Sequence, residues 1–212
     1  MTDEKTRSRQ ISWKTKYKKA ADYSSAFEKN ALMLAEKLYG KEKAGIFRQS
    51  LNIAKKSIPN DASDEEKYEN EFANFVAFER EKFRFFRNEG GDNGLRDLEK
   101  SEIAFYKQKF SALAMVMKLI RMLSPRTAFQ VSVKGGIEES QWMNPSFIRE
   151  LDGDRAVIEI PRCKFIEEEN TDDICIIGCQ GIHAKANAVT FSLDTKYRVN
   201  GKACTAEITR IT

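Results

Sequence analysis

Cys175, Cys179 and His183 stand at successive four-residue steps, and they are the residues of this chain best suited to chemistry. On an α-helix that spacing puts all three on one face, about 6 Å apart along the axis. Thiolate and imidazole are the preferred ligands of zinc, and adjacent members of such a stripe can share one ion. A fourth ligand would then come from Cys163 or Cys204. No CxxC pair occurs, so zinc stays an alternative that the spacing leaves open.

A second chemistry makes Cys179 a nucleophile and His183 its base, because an i,i+4 pair can come within hydrogen-bond reach. The thiol needs such a neighbour, or a helix N-terminus, to lower its pKa. Cys175, close behind Asp172, is better placed for the helix dipole. Against both stands a plain reading. Ile174, Ile176, Ile177 and Ile182 surround these groups, and small thiols often do no more than fill a tight helix–sheet contact. Glu159, Arg162, Lys185, Asn187, Glu207 and Arg210 are the other polar groups nearby in sequence. Each reads as an ordinary face charge or polar residue, and no acid pair has a spacing suited to acid–base work.

The stretch that positions these groups is 156–212, which holds all four cysteines and the single histidine. Its pattern predicts a strand over 156–166 and a helix over 172–188. A hairpin of 189–199 and 203–211 follows, turning at Asn200-Gly201. Pro161 inside the first strand argues for an edge position or a bulge.

The order of these elements resembles a known one. Ile160-Pro161-Arg162-Cys163, a helix with Cys179, a strand, and then Asn200-Gly201-Lys202-Ala203-Cys204-Thr205-Ala206-Glu207-Ile208 resemble the ligand-binding fold of 4-vinyl-reductase-type domains. They resemble the L-2-amino-thiazoline-4-carboxylate hydrolase-like family more closely. The resemblance implies a cytoplasmic α+β protein with a pocket between sheet and helices for a small organic molecule. It makes Arg162, Cys163, Cys179 and Cys204 the matching positions. It also suggests hydrolysis of a cyclic C–N bond; with the i,i+4 pairing this makes Cys179 and His183 the expected catalytic residues, and Arg162, Cys163 and Cys204 the expected substrate-binding ones. The family often has an acidic residue soon after the helix cysteine. Here Gly181, Ile182 and His183 occupy that place, so the chain either binds without catalysing or uses His183 instead.

Upstream the sequence is helical. Residues 1–11 read as a mobile basic tail. Trp13, Tyr17, Ala20, Ala21, Ser24 and Phe27 begin a stripe that Ala31, Leu34, Ala35 and Leu38 continue, with Gly40 placed to end it. Ile46, Phe47, Leu51 and Ile53 mark a second helix, stopped by Pro59-Asn60-Asp61. Ser63 and Glu66 form a capping box that opens a third, rich in phenylalanine and expected to supply an aromatic core. Residues 88–94 read as a loop; their glycines lack a phosphate-binding spacing. The helix of 95–123 carries apolar residues so far round its circumference that it reads as central and buried, and Ser124-Pro125 ends it. Residues 128–133 alternate and are followed by Gly135-Gly136, so they read as a strand. Residues 140–151 read as a short helix or turn.

The expected architecture is therefore α+β, with a helical layer over 12–124 packed on a small antiparallel sheet with a crossing helix over 125–212. Composition sets the outer bounds. In 212 residues, 41% hydrophobic and 10% aromatic content suffices for a packed core. Thirty-six basic against 32 acidic residues leaves a net charge of +4, too balanced to imply a nucleic-acid partner. No apolar run reaches the length of a membrane span, and no apolar signal core is seen near the start, which makes the cytoplasm the expected location. There the four cysteines are expected to be thiols. A rival to the small-molecule reading is a non-catalytic interaction or sensor module, which binds a protein partner or self-associates as a homodimer through its amphipathic helices.

Overall fold

A computed structural model describes residues 11–167 and 172–211, so the expected basic tail lies almost wholly outside the described residues. The fold is α+β. Two compact units divide the chain: residues 11–102 with 172–174, and residues 103–167 with 175–211.

The first unit is a helical bundle made from α1 (Trp13–Ala54) and most of α2 (Asp64–Lys109). Each of these helices reverses on a single glycine. Gly40 adopts φ 85°, ψ 169°, and Gly91 adopts φ 56°, ψ −140°, regions that residues with a Cβ avoid. The reversal brings Lys55 Nζ to 2.5 Å from Glu28 Oε2, and Lys82 Nζ to 2.6 Å from Glu102 Oε1. Gly40 thus ends its helix as the sequence suggests, whereas the loop expected over 88–94 shrinks to one residue. Gly90 and Gly94 stay helical for a packing reason. A Cβ on either would overlap the Tyr39 hydroxyl, and on Gly94 also the Phe86 carbonyl. The capping box forms, with Ser63 N donating to Glu66 Oε2 (2.8 Å) and Glu66 N to Ser63 Oγ (3.3 Å). The phenylalanines are core: Phe72, Phe75, Phe78, Phe83 and Phe86 are buried, and Phe47 stacks on Phe85 with ring centroids 4.4 Å apart.

The second unit holds α3 (Ser111–Leu123), α4 (Pro125–Ser140), a sheet and three short helical segments. The strands are β1 (Phe147–Leu151), β2 (Arg155–Ile160), β3 (Leu193–Asn200) and β4 (Ala203–Arg210). They are antiparallel in the order β1-β2-β4-β3. Tyr197 lies opposite Ala206, and Cys204 lies between Val199 and Ile160. Alternation gives the sheet two unlike faces. Ala156, Ile158, Leu193 and Ala206 pack against Phe129, Val133 and Ile137 of α4. The other face carries charge ladders such as Glu150–Arg155–Glu207, at 2.6 and 2.8 Å.

Three local expectations are corrected here and one, the stop at Ser124-Pro125, is extended. Residues 128–133 are helical, not a strand. Phe129, Val133 and Ile137 recur at four-residue steps and form the apolar face of α4, which outweighs the shorter period-two pattern. Ser124-Pro125 ends one helix and also starts the next: Ser124 caps α4, and Pro125 takes its first turn, where no N–H is needed. The helix of 95–123 is interrupted at Phe110, and α3 is not buried, since Met117 is its one buried residue. Finally, β2 is a central strand that stops at Ile160. Pro161 lies just past it, and Cys163 precedes a short helix, α5 (Lys164–Glu167). Residues 140–151 end α4, turn, and enter β1.

Candidate functional site

The helix expected over 172–188 is a π-helix (Ile174–His183) that passes into α6 (Ala184–Phe191). A π-helix bonds i to i+5, and its turn is wider than that of an α-helix. The Gln180 amide reaches the Cys175 thiol, with Nε2 to Sγ at 3.6 Å. A ten-residue π-helix is unusual; single-turn π-bulges are the common form, and those recur at functional sites.

His183 Nδ1 sits 2.6 Å from the Tyr197 hydroxyl on β3. One helical turn on, Asn187 Oδ1 accepts from the Tyr106 hydroxyl at 3.3 Å, and its amide donates to Thr195 Oγ1 at 3.4 Å. The Tyr106 ring meets the imidazole edge-on with centroids 5.8 Å apart. Thr190 Oγ1 is buried with no hydrogen-bond partner among the described residues. The sheet unit thus contains a strip of five polar side chains, His183, Tyr197, Asn187, Thr195 and Tyr106, joined in short links.

Burial sets the electrostatics of this strip. Desolvation pushes the His183 pKa down to about 4. It pushes the Tyr197 phenol well above its ordinary range, with the Cys179, Tyr106 and Cys204 groups adding to the rise. At neutral pH both partners are uncharged. The same cause raises the Cys204 thiol to about 11, helped by Cys163 and Cys175, and it raises Cys163. A base with pKa near 4 draws a proton from a thiol poorly, so the strip favours neutral hydrogen bonding over an imidazolium–thiolate pair.

The five residues expected at a site fall as follows. Cys179 and His183 share the π-helix, and both Cys179 and Cys204 act on Tyr197. Cys163 donates its N–H to Lys202 O at the hairpin turn (2.9 Å), which puts it at the Cys204 end of the sheet. Arg162 is apart from them: its guanidinium is exposed and donates to Glu167 at 2.5 Å. Among the described residues no three His, Cys, Asp or Glu side chains group so as to hold a metal ion, and no cysteine is in a disulfide. Two clefts, of about 440 and 650 Å³, are lined by bundle residues and by neither cysteine nor histidine.

Two features were not picked out from the sequence. One is a buried ion cluster in the bundle. Lys82 is fully buried and donates to Glu79 at 2.8 Å and Glu102 at 2.6 Å, beside the rings of Phe78 and Phe83. The i,i+3 spacing of Glu79 and Lys82 amid phenylalanines was the available signal. The other is the solvent side of α3. Met115, Val116, Leu119, Met122 and Leu123 are 50 to 89% exposed. At 3.6 residues per turn they lie within about 80° of the point opposite buried Met117. Apolar patches of this kind mark interaction surfaces.

Compared with known proteins, the chain matches no protein-family model, no curated protein and no solved structure.

Proposed function

We propose that this chain is a non-catalytic interaction module whose working surface is the outward face of α3. The observation that carries this reading is five large apolar side chains turned to solvent on a helix already packed through its other side. Leaving such a stripe in water is unfavourable by about 25 cal/mol per Å² relative to covering it. The neutral, closely linked polar strip around His183 fits a structural role beside it. Fractionation of cells that express the full chain tests the reading. The wild type is expected in a particulate or high-mass fraction, and Leu119→Glu/Met122→Glu is expected at the 24.3 kDa monomer mass with unchanged circular dichroism. A wild-type chain that already runs as that monomer would overturn it.

A second reading keeps the chemistry that the resemblance implies. In it the chain binds a small cyclic molecule and hydrolyses a C–N bond, with Cys179 and His183 catalytic and Arg162, Cys163 and Cys204 holding the substrate. The π-helix beneath Cys179 and His183 favours it. Incubation with the aminothiazoline carboxylate that gives the family its name is the test. Turnover lost in Cys179→Ala and in His183→Ala supports this reading, and no turnover by the wild type removes it.

A further inference from the structure

We propose that the outward face of α3 seats on an anionic lipid surface, lying in the plane of the membrane without crossing it. The proposal rests on the reading of α3 as the working surface and names what covers it. The absence of an apolar span, in the sequence and among the described helices, concerns crossing only. A helix that lies in an interface needs an apolar face and a cationic margin.

Both are present. The apolar stripe of Met115, Val116, Leu119, Met122 and Leu123 runs along the last nine residues of α3, about 12 Å. Lys118 is exposed at its margin. Charge around it is one-sided: from residue 103 to residue 137 there is no aspartate or glutamate. Lys107, Lys109, Lys118, Arg121, Arg126 and Lys134 all fall in that interval, in a chain with 32 acids. Of the elements packed against α3, α6 contributes Lys185 and no acid; α4 carries Arg126 and Lys134, and its acids, Glu138 and Glu139, are confined to its last turn.

Other occupants fit this charge and shape less well. A second copy docked face to face would set Lys118 and its neighbouring cations against their own images, with no acid in the interval to answer them. Protein interfaces take most of their energy from buried tryptophan, tyrosine and arginine anchors. This stripe has none of them; it is a convex row of methionine, leucine and valine. Flexible apolar side chains with a basic edge suit an acyl boundary beneath anionic headgroups.

Co-sedimentation of the purified full chain with vesicles decides the matter. Phosphatidylcholine vesicles with roughly 30% phosphatidylserine should pull the protein down, and phosphatidylcholine alone should not. Leu119→Glu/Met122→Glu should reduce the bound fraction to that of neutral vesicles. Lys118→Glu should weaken binding about tenfold, and added salt should weaken the wild type further. These substitutions fall on exposed positions, so circular dichroism should be unchanged. No sedimentation with either vesicle overturns the lipid proposal, as does binding that the double glutamate variant retains. If vesicle binding fails while the cellular high-mass fraction still depends on Leu119 and Met122, the occupant is a protein and the interaction reading survives. If both fail, that reading falls as well.

Discussion

In the bundle a lysine is buried completely and keeps its charge, whereas in the sheet unit a half-buried histidine gives its charge up. Desolvation opposes the Lys82 ammonium most strongly. Glu102 and Glu79 outweigh it, and the Lys82 pKa is raised. One ammonium cannot neutralise two carboxylates, so the surplus falls on Glu79, whose pKa is raised by burial and then by Glu102. Among the described residues no carboxylate pairs with His183. Its link is to a neutral phenol, and desolvation acts unopposed. The difference teaches that burial depth does not set ionisation by itself; the charge of the nearest partner does.

The largest test of this contrast is Lys82→Met. It would leave two carboxylates facing each other in an aromatic core and should cost about 3–5 kcal/mol in denaturant unfolding. Replacing Glu79 and Glu102 by leucine in the same variant should recover most of that loss. A single variant as stable as the wild type would break the comparison.

Next in size is the response to pH, where the two units should move in opposite directions. The folded pKa of His183 is depressed below its ordinary 6.5, so its contribution is full above that value and is lost as pH falls toward about 4. At about 1.4 kcal/mol per pKa unit, the loss amounts to at most roughly 3 kcal/mol. The folded pKa of Glu79 is raised above its ordinary 4.5, so its contribution is full at and below that pH and is lost as pH rises through the raised value. Urea midpoints between pH 7.5 and pH 4.5 should therefore shift in favour of His183→Gln over the wild type on acidification, and against Glu79→Gln. Parallel curves for the three proteins would contradict the opposite signs.

The smallest effect concerns the link itself. Tyr197→Phe leaves His183 Nδ1 without the phenol and should cost about 1–3 kcal/mol, measured as a fall in the urea midpoint at pH 7. Activity is not needed for any of these readings.

Much of the fold could be read along the chain because the signals were local. A capping box, the helix end at Gly40, an Asn200-Gly201 turn and strand alternation are each decided within a few residues. The readings that failed depended on something local sequence does not encode. Residues 128–133 alternate like a strand, and only contact with the sheet selects the longer period of Phe129, Val133 and Ile137. Cys175, Cys179 and His183 have α-helical spacing, yet this segment winds with five-residue bonding, which the four-step pattern does not announce.

The sequence by itself determined the helical first half and the hairpin at Asn200-Gly201, the concentration of thiols and imidazole in 156–212, and the one-sided charge of 103–137. Tertiary structure alone decided which of these groups carry charge and which faces remain in water. His183 is neutral because folding desolvates it beside an uncharged phenol, and Lys82 is charged because chain reversal at Gly91 delivers Glu102 to it. α3 is apolar on both sides in the sequence; only packing against α4 and α6 fixes which side is spent and which is left to bind. The physical reason is common to all three. Ionisation and burial are set by neighbours brought from elsewhere in the chain, and spacing along a single helix cannot specify them.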